Sequence, residues 1–205
     1  MTQATDTAFQ ILASNCRFGR GITHEVGLDL VDLGAKRVLL IIDPAIRPLA
    51  TGSIVQQALE DARLDFAVFD QIEIEPTDAS FLAAAQFATE GHFDAIVAVG
   101  GGSTIDTAKA ANLYATYPAD FLEYVNAPIG RATPVPGPLK PLIAIPTTAG
   151  TGSEVGRGAV VILEDGRKLA LISPHLIPRL ALCDPELTLG LPPGLTAATG
   201  MDALA

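Results

Sequence analysis

Cysteine and positive charge are both scarce in this sequence. Only two cysteines, Cys16 and Cys183, occur in 205 residues, and they form neither a metal-ligand spacing nor a disulfide framework. We therefore expect two reduced, structural cysteines in a cytoplasmic protein. The 13 Lys and Arg are outnumbered by 23 Asp and Glu, which gives a net charge of −10. Because nucleic acids are bound through clustered basic residues, we expect no nucleic-acid partner.

Long apolar runs, targeting signals and the common nucleotide motifs are also missing. No apolar run reaches about 18 residues, so we expect no transmembrane helix and no membrane partner. Residues 1–9 lack the basic and apolar regions of a secretory signal, and no Arg precedes Arg17, so no transit peptide is expected. G-x-G-x-x-G after a strand, G-x-x-x-x-G-K-[ST] and G-x-S-x-G do not occur.

The most informative stretch of the chain is 94–109. A short apolar run rich in β-branched residues predicts a buried strand, and the three glycines 100–102 predict a turn. Ser103-x-x-Asp106 before an alanine-rich run has the pattern of a capping box at a helix start. Because free backbone amides would lie there without side chains in the way, we predict a phosphate-binding site at 100–103. The alternative is a tight turn that needs glycine only for its dihedral angles.

Strands and helices alternate along the rest of the chain. The segment 1–8 is predicted as a loose tail, and 116–140 as loop-rich. Strands are predicted at 37–43, 65–70, 95–99, 141–146 and 179–184, an edge strand or hairpin within 9–18, a hairpin at 158–163 and 168–173, and helices at 23–33, 53–64, 78–90, after Ser103 and at 196–205. This alternation predicts an α/β fold with a doubly wound, mainly parallel sheet and helices on both faces.

Several polar segments directly follow predicted strands. They are Asp43, 100–103, 147–153 and Asp184. Since ligands of such sheets bind beyond the carboxyl ends of the strands, these segments should gather at one edge. Asp43 could accept hydrogen bonds from both hydroxyls of an adenosine ribose and would repel a 2′-phosphate, which favours NAD over NADP. Its alternative role is that of a turn former in an Asp-Pro pair.

Three further groups are candidates for a cofactor or metal site. Thr147, Thr148, Thr151 and Ser153 offer four hydroxyls that could surround a ribose, a pyrophosphate or a nicotinamide amide, or could form a solvated loop. Lys168 could reach a cofactor hydroxyl or be an exposed hairpin lysine. Asp202, on the last predicted helix, is either a surface charge or a metal ligand, and position 206 would share its face. No histidine pairs with another at ligand spacing.

Three motifs occur in order along the chain: GGGSTID at 100–106, PTTAGTGSE at 146–154, and DPELT at 184–188 leading to TAATGMDAL at 196–204. Together they resemble the iron-containing (group III) alcohol dehydrogenase family, and the likeness extends from about Ser14 to the end of the chain. Within that family the chain is most similar to the hydroxyacid–oxoacid transhydrogenases, above all in DFLEYVNAPIG at 120–130.

The resemblance implies two domains, an α/β dinucleotide-binding domain (1–190) and the start of an all-helical metal-binding domain (191–205), in which the chain ends. It implies an Fe²⁺ or Zn²⁺ site with Asp202 as first ligand and histidines beyond Ala205. The cofactor residues that it implies are Gly101, Gly102, Ser103 and Asp106 around the pyrophosphate turn, Asp43 at the adenosine ribose, Thr147, Thr148 and Thr151 on the nicotinamide side, and Lys168.

The function implied is a metal-dependent oxidoreductase that moves a hydride between NAD(H) and a small alcohol, hydroxy acid, aldehyde or oxo acid. This chain would carry the cofactor half and be inactive alone, and the full-length protein is expected to be a homo-oligomer. Two alternatives are open: a dehydroquinate-synthase-like lyase that uses NAD and a metal, and a non-catalytic nucleotide-binding fragment.

Overall fold

Parallel strands form the central sheet, and their order in space determines where a ligand can bind. The computed structural model describes residues 12–163 and 166–205, so the predicted tail at 1–8 lies outside the described residues. Six strands pair in the order β1-β8-β5-β4-β2-β3, and every pairing is parallel. Their bounds are β1 Asn15–Phe18, β2 Arg37–Ile42, β3 Asp65–Phe69, β4 Ala95–Gly100, β5 Leu142–Pro146 and β8 Leu180–Cys183. A separate antiparallel hairpin consists of β6 Gly158–Ile162 and β7 Lys168–Ile172.

Helices cover both faces of this sheet. Their bounds are α1 Val26–Asp32, α2 Ala50–Asp61, α3 Asp78–Glu90, α4 Gly102–Thr116 and α5 Pro193–Leu204. Val97 and Val99 of β4 pack in one core with α1 and α2, whereas Ile96 and Ala98 pack in a second core with α3 and α4. Successive strand residues point to opposite faces, so a fully apolar strand needs a helical layer on each side. The predicted doubly wound α/β fold is confirmed.

The helix starts differ from the predictions in four places, and one of them is α1, which begins at Val26 rather than at 23. The capping box predicted at Ser103 and Asp106 is wrong, because Gly101 is the N-cap of α4 and makes no side-chain capping bond. A capping box is found instead at the start of α3, where Thr77 and Ser80 cap each other. Helices α2 and α5 begin three residues earlier than predicted, and Pro193 supplies the fixed φ that suits the first turn of α5.

The strand order contains one reversal of direction. From β2 the chain moves outward to β3, returns past β2 to β4, and then continues outward through β5 to β8. The carboxyl ends of β2 and β4 therefore border a crevice that neither connecting helix covers, which is where open α/β sheets bind ligands. Among the described residues, no helix has both the length and the apolar composition that crossing a membrane requires.

Candidate functional site

The predicted site segments lie side by side at the carboxyl edge of the sheet. The Asp43 N–H donates to Val99 O at 3.0 Å, and the Thr147 N–H donates to Gly100 O at 3.0 Å. These bonds continue the β2–β4 and β4–β5 ladders just past the ends of the strands. The expected gathering of Asp43, the glycine turn and the threonine loop is thus confirmed.

The glycine turn is in close contact with the threonine loop. A Cβ on Gly102 would lie 2.8 Å from Thr151 Cγ2, which is nearer than real Cβ atoms approach. A Cβ on Gly101 would lie 3.4 Å from Thr148 Oγ1, an ordinary contact. A side chain at Gly102 would therefore displace Thr151, whereas the missing side chain at Gly101 leaves the first amides of α4 open.

Ser103 is already engaged with the protein. It lies inside α4, half-exposed, and its hydroxyl donates to Ile74 O in the segment after β3. A ligand at this turn would meet the Ser103 backbone amide in the first turn of the helix, where N–H groups lack helical partners.

The threonine loop divides into buried and accessible hydroxyls. Thr147 is 2% exposed, Thr148 is half-buried against the glycine turn, and Thr151 is exposed and accepts a bond from the Ser153 N–H at 3.3 Å. Gly150 has φ 140°, and a Cβ there would lie 2.5 Å from Thr199 O. This approach of α5 to the loop therefore needs a glycine at 150.

The position of Asp43 suits both a turn former and a ribose-binding group. One carboxylate oxygen, Oδ1, accepts the Ala45 N–H at 2.8 Å and so stabilises the Asp-Pro turn. The other oxygen has no hydrogen-bond partner among the described residues, and the side chain is half-exposed at the crevice. A turn former with one free acceptor oxygen can also bind a ribose hydroxyl.

Asp106 and Lys109 form a buried pair beneath the threonine loop. Asp106 Oδ2 accepts the Val160 N–H at 2.9 Å, and its Oδ1, buried and without a hydrogen-bond partner in the described part of the chain, lies 3.9 Å from Lys109 Nζ. Lys109 Nζ donates to Gly156 O at 2.9 Å and Gly158 O at 2.7 Å. The pair therefore fixes the end of the loop and the start of β6 onto α4.

Burial has the largest effect on the pKa of Asp106 and on that of Lys109. It raises the pKa of Asp106, although the Val160 N–H and Lys109 act in the opposite direction. It lowers the pKa of Lys109 to about 8, against the attraction of Asp106 and Glu154. Sequence reasoning missed Lys109. The available signal was a single lysine flanked by alanines in the alanine-rich run after the glycine turn.

Lys168 lies at the margin of the site. It is exposed at the first position of β7, paired with Ile162, whose N–H donates to Pro76 O at 2.8 Å. The same segment, 74–77, receives the Ser103 hydroxyl through Ile74 O. The hairpin thus holds Lys168 beside the segment that borders the glycine turn.

Asp202 faces the threonine loop from α5. Its Oδ2 lies 3.1 Å from where a Cβ of Gly150 would be, and the side chain is exposed. Across residues 12–163 and 166–205, no three His, Cys, Asp or Glu side chains form a group that could hold a metal ion. Within these ranges Asp202 has no partner ligands, and the described residues do not by themselves fit a metal centre.

Asp184 also lies at the carboxyl edge, but its carboxylate is occupied by hydrogen bonds from the protein itself. Its carboxylate accepts the N–H groups of Gly21, Thr23 and Glu186 at 3.1, 3.3 and 3.1 Å, and the Thr23 hydroxyl at 2.9 Å. Burial raises its pKa, but these four bonds outweigh burial and hold the pKa of Asp184 below its usual value.

A parallel sheet with a glycine turn at its reversal point defines the doubly wound, Rossmann-like class of α/β proteins. Within that class the chain belongs to the iron-containing alcohol dehydrogenase family, whose model matches residues 13–185. It is 50% identical over 204 residues to the mitochondrial hydroxyacid-oxoacid transhydrogenase of Rattus norvegicus, a match that covers 98% of this chain and 44% of the relative. The chain thus spans less than half the length of that relative.

Solved structures agree with this assignment. A 1,3-propanediol oxidoreductase is 34% identical with a TM-score of 0.89, and the match covers 96% of this chain and 51% of that one. Sulfoacetaldehyde reductase from Bifidobacterium kashiwanohense, solved in complex with NAD+, is 29% identical with a TM-score of 0.85, over 95% of this chain and 50% of that one. The chain is accordingly a member of a family of oxidoreductases.

The cytoplasmic localisation predicted from the sequence is wrong on this comparison, because the rat relative is described as mitochondrial. The two cysteines were the main argument for the cytoplasm. A low cysteine content indicates a reducing compartment but does not say which one.

Proposed function

We propose that this chain is the cofactor half of a metal-dependent oxidoreductase that transfers a hydride between NAD(H) and a small alcohol or hydroxy acid. The observation that carries the proposal is the position of Asp43 and the glycine turn on neighbouring parallel strands, at the reversal point of the sheet. The family match favours an oxidoreductase over the dehydroquinate-synthase-like lyase.

The residues at the carboxyl edge of the sheet would each contact a different part of a dinucleotide. The open amides at Gly101, Gly102 and Ser103 would hold the pyrophosphate, because a helix N-terminus attracts an anion. The free oxygen of Asp43 would accept a ribose hydroxyl, and its charge would repel a 2′-phosphate, so we propose NAD rather than NADP.

The threonine loop would position the nicotinamide end. Thr148 and Thr151 present hydroxyls beside the glycine turn, while Thr147, which is 2% exposed, supports the loop from within. Bound nicotinamide supplies the carbon that gives or takes the hydride. Lys168 would contact the cofactor from the hairpin, and Asp106 would act on it through the loop that it anchors.

The metal site would be completed by residues outside this chain. Asp202 faces the threonine loop, and no residue of α5 is buried, which supports 191–205 as the start of a further domain beyond the α/β domain 1–190. We propose Fe²⁺ or Zn²⁺ bound by Asp202 and later histidines. The likeness to a transhydrogenase supports hydroxy acid and oxo acid substrates. A homo-oligomer stays a prediction.

Calorimetry and an enzymatic assay test this function in two stages. The chain should bind NAD saturably, and the full-length protein loaded with Fe²⁺ or Zn²⁺ should reduce NAD when a small alcohol or hydroxy acid is added. NAD binding without turnover by the full-length protein would leave only the nucleotide-binding fragment. No NAD binding by either protein would refute the proposed cofactor site.

A further inference from the structure

A cavity lies at the edge of the sheet opposite to the proposed cofactor site, where β5 and β8 begin. It has a volume of about 240 Å³ and is lined by Lys109 and Asn112 of α4, the segment 138–142 and the segment 174–179. Strand β5 is five residues long, so the cavity is separated from the threonine loop by about 13 Å along the strand. It is therefore distinct from the proposed cofactor site.

Positive charge is concentrated around this cavity. Lys109, Lys140 and Arg179 line it together with His175, and no acidic side chain is among its described lining residues. The whole chain has 13 Lys and Arg and a net charge of −10, so Lys140 and Arg179 gather positive charge against the overall charge, whereas Lys109 is paired with Asp106. Like charges collected in a concave wall focus a field that attracts the opposite charge.

The backbone that carries the two outer cations is held firmly. Asn112 Nδ2 donates to Lys140 O at 2.8 Å, and the Lys140 N–H donates back to Asn112 Oδ1 at 3.2 Å. The Arg179 N–H donates to Leu142 O at 2.8 Å, which places Arg179 beside the strand that Lys140 leads into. Both cations thus start from fixed points on adjacent segments.

Neither outer cation forms a salt bridge within the part of the chain that the structure describes. Among the ion pairs of residues 12–163 and 166–205, none involves Lys140 or Arg179. Partial burial lowers the pKa of Lys140, and the negative charge of Asp94 offsets this only in part. Lys109 differs, because its ammonium is committed to the carbonyls of Gly156 and Gly158 and contributes only its field.

We propose that this cavity binds a small dianion, a dicarboxylate or a phosphate, between the Lys140 ammonium and the Arg179 guanidinium. A guanidinium can bind a carboxylate or phosphate through two parallel hydrogen bonds, and an ammonium supplies a point charge from the other side. The volume corresponds to about eight water molecules at liquid density, enough for a short dicarboxylate but not for a dinucleotide.

Calorimetry on the full-length protein tests the site with two probes, succinate and inorganic phosphate. Lys140→Gln and Arg179→Gln should each weaken binding of the preferred probe by about tenfold, the loss expected for one charge-assisted contact. Arg20→Gln and Arg63→Gln are matched controls, because both side chains are exposed and neither lines the cavity. They should change affinity less than twofold, and NAD affinity should be unchanged in all four variants.

Each result has a defined meaning. If Lys140→Gln and Arg179→Gln weaken binding and only succinate binds saturably, the cavity is a dicarboxylate site; if only phosphate does, it is a phosphate site. Thermal unfolding of each variant confirms that it is folded before its affinity is compared. The proposal is overturned if neither probe binds saturably to the wild-type protein, or if the control variants weaken binding as much as Lys140→Gln and Arg179→Gln.

Discussion

Asp43-Pro44 and Asp184-Pro185 are the same dipeptide, each directly after a parallel strand, yet the two aspartates differ in what they can bind. The Asp184 carboxylate is 4% exposed and accepts four hydrogen bonds from the protein. The Asp43 carboxylate is half-exposed and accepts one bond from Ala45, and its other oxygen has no partner in the described ranges of the chain. One aspartate is therefore part of the structure, and the other is available to a ligand.

The difference arises from the neighbours of each strand. Strand β8 lies beside β1, and the loop after β1 turns its backbone amides at Gly21 and Thr23 toward Asp184. Strand β2 lies beside β4, whose carboxyl end continues into a glycine turn that directs no hydrogen bond to Asp43. A carboxylate at a strand end thus becomes a ligand-binding group where the adjacent loop leaves it without donors.

The largest effect on stability should come from Asp184→Asn. Its amide NH₂ would face N–H donors, so at least one buried bond is lost, and we expect unfolding free energy to fall by about 2–4 kcal/mol. Asp43→Asn should cost no more than about 0.5 kcal/mol, because the side chain is half-exposed. Urea denaturation of the two variants measures both values. Equal losses would contradict the assignment of Asp184 as structural and Asp43 as free.

The pH dependence of stability should separate the same two residues. The four bonds hold the pKa of Asp184 below the value of about 3.9 that an unfolded aspartate has. The stabilisation is therefore complete above the unfolded pKa and is lost as the pH falls through it toward the folded pKa. Between pH 5 and 3, wild type should lose more stability than Asp184→Asn, and parallel curves would contradict this.

The next effect concerns the glycine turn beside Asp43. Gly101→Val should lower NAD affinity by at least about tenfold, because a branched side chain would occupy the approach to the first amides of α4. The Cβ itself fits, 3.4 Å from Thr148 Oγ1, so folding should be retained. Gly158→Val is the matched control, since its Cβ would lie 3.8 Å from the nearest atom and away from the turn. Calorimetry that finds equal NAD affinity in Gly101→Val and wild type would remove the turn from the site.

A smaller effect should appear in cofactor preference, where Asp43 is compared with Asp70 at the end of the neighbouring strand. Asp43→Asn removes the charge that repels a 2′-phosphate, so the preference for NAD over NADP should fall by about tenfold. Asp70→Asn provides a control after the neighbouring strand β3, where the carboxylate is paired with Arg47. If the ratio of the two affinities is the same in Asp43→Asn and Asp70→Asn, Asp43 is only a turn residue.

Local patterns in the sequence predicted the helices and strands, whereas the roles of several site residues depend on contacts between distant parts of the chain. Helix α3 has the predicted bounds, Asp78–Glu90, and β4 and β5 follow their apolar runs within a residue. The gathering of strand ends followed from the parallel topology. Asp106, by contrast, was predicted as a helix cap, because its partner Val160 is 54 residues away and only the fold brings it near. The same distance in sequence concealed Lys109, whose acceptors lie 47 and 49 residues further on.

Asp202 is a third aspartate to compare with Asp43 and Asp184. Its substitution should have the smallest effect on residues 1–205. Its carboxylate is exposed and faces the threonine loop, but no second and third metal-binding side chain accompanies it among the described residues. Because a stable Fe²⁺ or Zn²⁺ site needs three or four fixed ligands, residues 1–205 should bind these ions hardly at all, and Asp202→Asn should change nothing measurable in that chain. In the full-length protein the same variant should lose metal and turnover together, which metal analysis and an NAD-linked assay would measure. Substantial metal-dependent turnover by residues 1–205 alone would refute the interpretation of Asp202 as one ligand of a larger site.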